Sequence, residues 1–222
     1  MKLLAIDTSA NACSVALMLD DELIQLHELA PMLQAQRILP MINKILRAAD
    51  VSLKNLDALA FGCGPGSFTG VRIATSVMQG LAFASELPLI PVSSLAAVAQ
   101  AAYADLGWKK LLVAMDARIS EVYWGTYEVN TAGLVELQGE EVVCQPAKIV
   151  FPADADWYGV GNGWDMYELA FEPLAVDTAR FPMASAILAL ARDKYSRREW
   201  VAPEDALPVY LRNNVAEKSI LK

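Results

Sequence analysis

Residues 61–84 read FGCGPGSFTGVRIATSVMQGLAFA and join a buried strand, a glycine-rich loop and a helix. The apolar stretch Leu56–Phe61 leads into four glycines and a proline, and glycine allows close backbone approaches that a side chain forbids. Ser67 or Thr69 is predicted to cap the helix that follows. A strand, a tight glycine loop and a helix N-terminus can together hold an anion or pack closely against another backbone.

The glycine loop therefore has two interpretations. No Gly-Lys-Ser/Thr follows it, so it is not a Walker A loop, and its spacing is not G-x-G-x-x-G. It is either a nucleotide or phosphate loop, or a helix-capping loop that lets strand, helix and a partner pack tightly. Its candidate residues are Gly64, Gly66, Ser67, Thr69 and Gly70.

The bulk properties describe an acidic globular protein. The 222 residues, 55% of them hydrophobic, allow one large domain or two small ones with substantial cores. A formal charge of −8 makes the chain a poor solitary binder of nucleic acid, so contact with RNA would need local basic patches or a basic partner. No signal pattern or membrane-length apolar run is present, and the three cysteines are scattered, so we expect a cytoplasmic protein.

The chain contains a degenerate internal repeat. LLAID at residues 3–7 and LLVAMD at residues 111–116 are both apolar strands closed by an aspartate. A short polar turn and an alternating strand follow each of them, and the two aspartates lie about half the chain length apart. The repeat predicts two related lobes, residues 1–107 and 108–222; the alternative is a chance match of two similar segments.

Two strands that end on aspartates and face each other across two lobes are the ingredients of a split nucleotide site. In such a site each aspartate turn meets the phosphates or their metal when the lobes close. The alternative is that each aspartate only caps its own turn through local hydrogen bonds. The candidate nucleotide or phosphate contacts are Asp7, Thr8, Ser9, Asp116 and Arg118.

Other kinds of chemistry lack the residues that they need. His27 is the only histidine, and no cysteine-rich cluster replaces a histidine pair, so we predict no metal site. A cysteine nucleophile would want a nearby base, and Gly64–Phe68 does not match the G-x-S-x-G pattern of serine hydrolases. We therefore predict no catalytic residue in this chain.

Five stretches resemble the TsaB/YeaZ family, bacterial proteins needed to make threonylcarbamoyladenosine in tRNA. The resemblance spans the chain in matching order, and its most specific part is PGSFTGVRI at residues 65–73. The matching stretches are LLAIDTS (3–9), QRILP (36–40), GCGPGSFTGVRIA (62–74), DARISEVYW (116–124) and PVYLRNN (208–214).

The resemblance implies a duplicated α/β fold of the actin/sugar kinase/Hsp70 (ribonuclease H-like) class, with two lobes that each hold a mixed sheet flanked by helices. Family members pair with TsaD, a paralogue that holds a metal and transfers the threonylcarbamoyl group to the adenosine beside the anticodon, while TsaE supplies ATPase activity. This chain would then be a non-catalytic dimerisation subunit that reaches tRNA only through the complex, and it would form a homodimer when alone. No cofactor would be firmly bound, with ATP or ADP at most at the boundary with the partner.

Two features modify that inference. The Asp7-Thr8-Ser9 turn lacks the glycine usual in nucleotide-binding versions of this fold, although an ATPase or small-molecule kinase using Asp7 and Asp116 stays the alternative. The predicted helices Gln36–Ala49 and Thr69–Ser85 flank the glycine loop and could form a bundle with equivalent helices of TsaD or of a second copy. The predicted contact residues are Ile38, Ile42, Ile45, Ala74, Val77, Gly80 and Leu81.

Overall fold

A computed structural model describes residues 1–212 of the chain. The end of the PVYLRNN stretch, residues 213 and 214, lies outside the described residues. The elements of the first half are β1 (Lys2–Asp7), β2 (Ala12–Leu19), β3 (Glu22–Leu29), α1 (Gln34–Ala48), β4 (Ala58–Gly64), α2 (Phe68–Ser85), β5 (Leu89–Ser93) and α3 (Ser94–Leu106). Those of the second half are β6 (Lys110–Asp116), β7 (Val122–Val129), β8 (Val135–Leu137), β9 (Val142–Cys144), β10 (Tyr158–Val160), α4 (Gly163–Met166), β11 (Val176–Asp177) and α5 (Ala184–Ser196).

The first sheet has the strand order β3-β2-β1-β4-β5. β1, β2 and β3 form an antiparallel meander, whereas β4 runs parallel to β1 and β5 parallel to β4. Successive side chains of a strand point to opposite faces, and Leu4 and Ile6 pack into one apolar cluster while Leu3 and Ala5 pack into another. The sheet is therefore covered on both faces.

The second sheet repeats this topology around β6. Its order is β11-β10-β6-β7-β8, with β9 also paired to β7. β7 is antiparallel to β6, and β10 and β11 are parallel additions on the other side, as β4 and β5 are in the first sheet. The predicted duplication is confirmed, with β1 and β6 as the corresponding central strands.

The two lobes share one core between their sheets. α5 belongs to the second half of the chain, but it packs on β1, β2, β4 and β5 of the first sheet. α3 belongs to the first half and contacts both α5 and the strands β6 and β7. Leu3, Val98, Val113 and Ile187 accordingly lie in a single buried cluster. The division at residue 107 stays a prediction, and the apolar core crosses it.

α1 and α2 cover the outer face of the first sheet, and this placement corrects part of the predicted partner surface. Four of the predicted contact residues are at most 2% exposed and pack against the chain's own strands. An amphipathic helix turns its apolar stripe to the sheet that it covers, so the stripe is not left for a partner. The four corrected residues are Ile38, Ile42, Ile45 and Ala74.

The outer face of the second sheet is covered by aromatic side chains rather than by long helices. Trp124 and Trp157 are buried there, and Phe151, Trp164 and Phe171 pack against them. The indole of Trp164 donates to the Leu112 carbonyl at 3.0 Å, which fixes the cluster to the central strand β6.

Candidate functional site

The glycine loop packs against the turn that follows β1. A Cβ on Gly62 would overlap Asp7 Oδ2, a Cβ on Gly70 would overlap the Thr8 carbonyl, and a Cβ on Gly66 would lie 2.7 Å from Ser9 Cβ. The loop thus approaches this chain's own backbone at the distances that only glycine permits.

The start of α2 completes this junction. The Ser67 amide donates to the Ser9 carbonyl at 2.7 Å, and Ser67 Oγ, rather than Thr69, accepts from the Gly70 amide as the N-cap. Thr8 Oγ1 donates to the Gly70 carbonyl at 2.7 Å. The contacts favour the packing interpretation of the loop over the phosphate-binding one.

Both carboxylate oxygens of Asp7 accept hydrogen bonds from residues of the first lobe. Its Oδ1 accepts from the amide and the hydroxyl of Ser9, both at 2.8 Å, and its Oδ2 accepts from Ser94 Oγ at 3.2 Å. Burial raises the pKa of the Asp7 carboxyl from 3.8 to about 6, against the opposing effect of the hydrogen bonds from Ser9 and Ser94. Among the predicted phosphate contacts of this turn, Ser9 lines the cleft between the lobes, whereas Asp7 and Thr8 are buried beneath it.

Asp116 occupies the corresponding position in the second lobe. Its Oδ1 accepts from the Arg118 amide at 2.9 Å, just as Asp7 accepts from Ser9 two residues further on. The Tyr167 hydroxyl also donates to Asp116 at 2.8 Å, and the Arg118 guanidinium lies 3.2 Å from Oδ2. Both turns therefore show the predicted local capping by aspartate, and Asp116 and Arg118 additionally line the cleft.

The cleft between the lobes has a volume of about 290 Å³. Tyr123 crosses it and donates from its hydroxyl to the Gly66 carbonyl at 3.2 Å. Its polar wall includes Ser9, Asn11, Ser67, Ser94, Arg118 and Asn162.

The C-terminal strap, residues 201–212, runs along the first lobe toward the cleft. Val201 exchanges two backbone hydrogen bonds with Leu89 at the start of β5, at 2.8 and 3.0 Å. Gln79 of α2 donates to the Pro203 and Ala206 carbonyls at 3.1 and 2.9 Å. The strap therefore adds an ordered layer beside α2.

The strap then passes from the first lobe to the second. The Val209 amide donates to the Cys63 carbonyl at the end of β4, at 2.7 Å. Arg212 donates to Glu121 Oε2 at 2.5 Å and to the Ala117 carbonyl at 2.9 Å, in the turn after Asp116. Arg212 lies in the PVYLRNN stretch, but its partners are more than ninety residues earlier in the chain, so no local pattern in the sequence indicates them.

Three further residues at the cleft mouth were not identified from sequence. Phe68, the first residue of α2, lies beneath Arg72, whose guanidinium carbon is 3.4 Å from the ring centroid. Arg72 Nε donates to the Tyr210 hydroxyl of the strap at 2.8 Å. An exposed phenylalanine beside an arginine one helical turn later was the only local signal.

Reactive groups are few in the part of the chain that the structure describes. Within residues 1–212, no group of three or more His, Cys, Asp or Glu side chains is arranged to hold a metal ion. Burial raises the pKa of Cys13 to about 11 and that of Cys63 to about 12, so both thiols stay protonated at neutral pH. Over the same residues, no helix combines the length and the apolar character needed to cross a bilayer.

Two lobes of one repeated topology, which meet at a cleft with an aspartate turn on either side, define the actin/sugar kinase/Hsp70 fold class. The family model described as "TsaD: tRNA N6-adenosine threonylcarbamoyltransferase" matches residues 27–220. The tRNA threonylcarbamoyladenosine biosynthesis protein TsaB of Escherichia coli K12 is 42% identical over 227 residues, covering 99% of this chain and 98% of that protein. TsaB of Haemophilus influenzae is 39% identical over 229 residues, covering 99% and 97%.

A solved structure gives the same result. YeaZ from Pseudomonas aeruginosa superposes with a TM-score of 0.92 at 47% identity, covering 95% of this chain and 99% of that one. The chain therefore belongs to the TsaB/YeaZ family, and the resemblance seen in the sequence is confirmed.

Proposed function

We propose that this chain is a non-catalytic subunit required to form N6-threonylcarbamoyladenosine beside the anticodon of tRNA. It binds and activates a metal-containing transferase of the TsaD type, together with an ATPase of the TsaE type. Its relatives from Escherichia coli and Haemophilus influenzae are named as threonylcarbamoyladenosine biosynthesis proteins.

The observation that carries this proposal is the filled first turn. In a split nucleotide site, the turns after β1 and β6 would both be open to phosphates. Here the glycine loop closes on Asp7, Thr8 and Ser9 so tightly that added Cβ atoms would overlap them. The Asp7 side chain is buried and accepts three hydrogen bonds from Ser9 and Ser94, so its oxygens already have partners within the chain. ATP or ADP is accordingly proposed only at the boundary with the partner.

The proposed partner surface is the outward face of α2. Gly80 is exposed, and nothing lies within 4 Å of the position of a Cβ there. Val77 and Leu81 are half-buried beside it, and Phe83 is 79% exposed. A glycine on such a face lets a second helix approach closely, and each Å² of apolar area covered would contribute about 25 cal/mol before entropic costs.

The shared family model supports a partner of the same fold. This chain matches a model described for a transferase, so that transferase and this chain have the same ancestral architecture. Two related folds can pair through equivalent helices much as two copies of one chain do. The same face of α2 is therefore also proposed to form a homodimer when the transferase is absent.

The decisive experiment mixes the purified chain with the TsaD-type and TsaE-type proteins of the same organism, tRNA, ATP and threonylcarbamoyl adenylate as the donor of the transferred group. We expect a stable complex on size-exclusion chromatography and threonylcarbamoylation of tRNA only when all components are present. Gly80→Arg and Val77→Asp should abolish pairing, whereas Ala132→Arg, in an exposed turn of the second lobe, should pair normally.

Two results would contradict the proposal. A complex that survives Gly80→Arg would remove α2 as the contact surface. ATP hydrolysis, kinase activity or threonylcarbamoyl transfer by the isolated chain would replace the non-catalytic role with the enzymatic alternative.

A further inference from the structure

Phe68, Arg72 and Tyr210 form a cluster at the cleft mouth, called here the aromatic-arginine stack. The Arg72 guanidinium carbon lies 3.4 Å from the Phe68 ring centroid and 5.4 Å from that of Tyr210. The two ring centroids are 5.7 Å apart at an interplanar angle of 37°. Phe68 and Tyr210 are 45% and 43% exposed, and Arg72 is exposed as well. The stack thus presents flat surfaces to solvent.

Packing within the chain does not account for this stack. The buried face of α2 is built from other residues, among them Val71, Ala74 and Met78. Within the described residues, Arg72 forms no ion pair, and its only polar contact is with the Tyr210 hydroxyl. Three exposed side chains are therefore held in a fixed arrangement that the core does not need.

The stack opens onto a cavity of suitable size and polarity. Phe68 and Tyr210 line the cleft of about 290 Å³, near the lower end of the range of about 300–1,000 Å³ for small-molecule sites. Asn11 and Ser67 on the same wall can exchange hydrogen bonds with the edge of a flat ring. Arg118, with 73% of its side chain exposed, adds a cation.

We infer that the aromatic-arginine stack binds an unpaired base of the tRNA within the complex proposed above. Every base has a flat π-face, and bases displaced from a stack are held on aromatic rings and on the planes of arginine guanidinium groups. The base would stack on the exposed side of Arg72 and Phe68, with its polar edge toward Ser67 and Asn11. This inference rests on the proposed function.

The filled aspartate turn favours RNA over a free nucleotide as the ligand. A mononucleotide needs a phosphate site next to its base, and the loop that could supply one is occupied by Thr8 and Ser9. A base in tRNA needs no such site here, because its phosphates can be neutralised by other subunits. The net charge of −8 agrees with a role in stacking rather than in phosphate binding.

The test uses the complex of this chain with its transferase and ATPase partners, and an in vitro transcribed tRNA. We expect Phe68→Ala or Arg72→Ala to raise the Kd for tRNA about tenfold, since loss of one stacked base costs about 1–3 kcal/mol. Phe68→Trp should restore binding. Val150→Ala and Arg192→Ala, at exposed positions on other surfaces, are the matched controls. Ultraviolet crosslinking to a 4-thiouridine-substituted tRNA should label residue 68 or 72.

The possible results distinguish failure of the stacking inference from failure of the proposed function. Unchanged tRNA affinity in a complex that still assembles would overturn the stacking inference and leave the proposed function intact. Absence of the wild-type complex would overturn the proposed function and, with it, this inference. Binding of AMP or ATP to the isolated chain that Phe68→Ala abolishes would overturn RNA as the ligand in favour of a free nucleotide.

Discussion

The two aspartate turns share one geometry and have different surroundings. Asp7 and Asp116 each end a central strand, and each carboxylate accepts from the amide two residues further on. The first turn is sealed beneath the glycine loop, whereas the second faces the cleft beside Arg118 and Tyr167. Duplication has preserved the backbone turn, and the two turns differ in what packs on them: the glycine loop covers Asp7, whereas Arg118 and Tyr167 contact Asp116, whose side chain is 5% exposed.

The outer faces of the lobes differ in a related way. Long helices, α1 and α2, cover the first sheet, while the second is covered by an irregular aromatic segment around Trp124 and Trp157. A regular helix presents a continuous face against which another helix can pack. An irregular segment has no such face. We therefore place the proposed partner surface on the first lobe only.

The largest loss of stability is expected when Gly70, which packs on the turn after β1, is replaced. Gly70→Ala should lower the free energy of unfolding by about 3 kcal/mol or more, since the new Cβ would overlap the Thr8 carbonyl. Gly80→Ala on the same helix has open space and should raise stability by about 0.5–1 kcal/mol. Urea denaturation of both variants provides the measurement. Equal unfolding free energies for Gly70→Ala and Gly80→Ala would show that the glycine loop is not in close contact with the turn after β1.

The stability that the Asp7 carboxyl contributes depends on pH. The pKa of Asp7 is 3.8 in its ordinary state and about 6 when folded, so the folded state binds more protons between these values. Stability contributed by this group therefore falls as pH rises from about 4 to 6 and is constant above that. The accumulated cost is on the order of 2–3 kcal/mol.

Asp7→Asn removes this titration while it keeps the acceptor for Ser9. We expect the unfolding free energy of the variant to lose that pH dependence, so that its stability relative to the wild type improves between pH 4 and pH 6. Parallel pH-dependent denaturation curves for the two proteins would contradict the buried, protonatable state of Asp7.

The contact of the strap with the second turn should have a smaller effect. Arg212→Ala removes charged hydrogen bonds to Glu121 and to the Ala117 carbonyl and should cost about 1–2 kcal/mol. Thermal unfolding would measure this, with the exposed Arg192→Ala as control. If Arg212→Ala and Arg192→Ala have the same melting temperature, the contacts of Arg212 with the second lobe do not stabilise the protein.

The smallest effect is expected at the ion pair of the second turn, in which the Arg118 guanidinium is exposed and Asp116 keeps its hydrogen bonds from the Arg118 amide and Tyr167. Arg118→Ala removes a guanidinium whose side chain is 73% exposed, and such pairs contribute about 0–1 kcal/mol. We expect a change below about 0.5 kcal/mol that shrinks further in salt. A loss comparable to that of Gly70→Ala would show that the second turn is as tightly sealed as the first.

Local signals in the sequence predicted much of the fold. Ser67, one of the two predicted caps, caps α2, and the strand-aspartate repeat located both central strands. These features depend on neighbouring residues only. The α1 and α2 side chains were assigned to a partner because an apolar stripe does not reveal which sheet or helix it faces.

The contacts made by distant segments were beyond local prediction. The strap meets residues far away in the chain, as when Val209 donates to Cys63, and such a pairing has no periodicity to recognise. The sequence left the glycine loop open between phosphate binding and close packing, and the structure shows it packed on the turn after β1. Its occupant, the Asp7 turn, lies more than fifty residues earlier and could be found only in three dimensions.

The position of α5 late in the sequence also affects how the first lobe folds during synthesis. The first sheet is complete at Ser93, but its inner face is covered by α5, which ends at Ser196. At a synthesis rate of about 5–20 residues per second, roughly 5–20 seconds separate the two events on the ribosome. During that interval α3 already lies beside β4 and β5, but Leu3 and Ala5 on β1 still lack α5, so the nascent first lobe is expected to be a substrate for ribosome-associated chaperones.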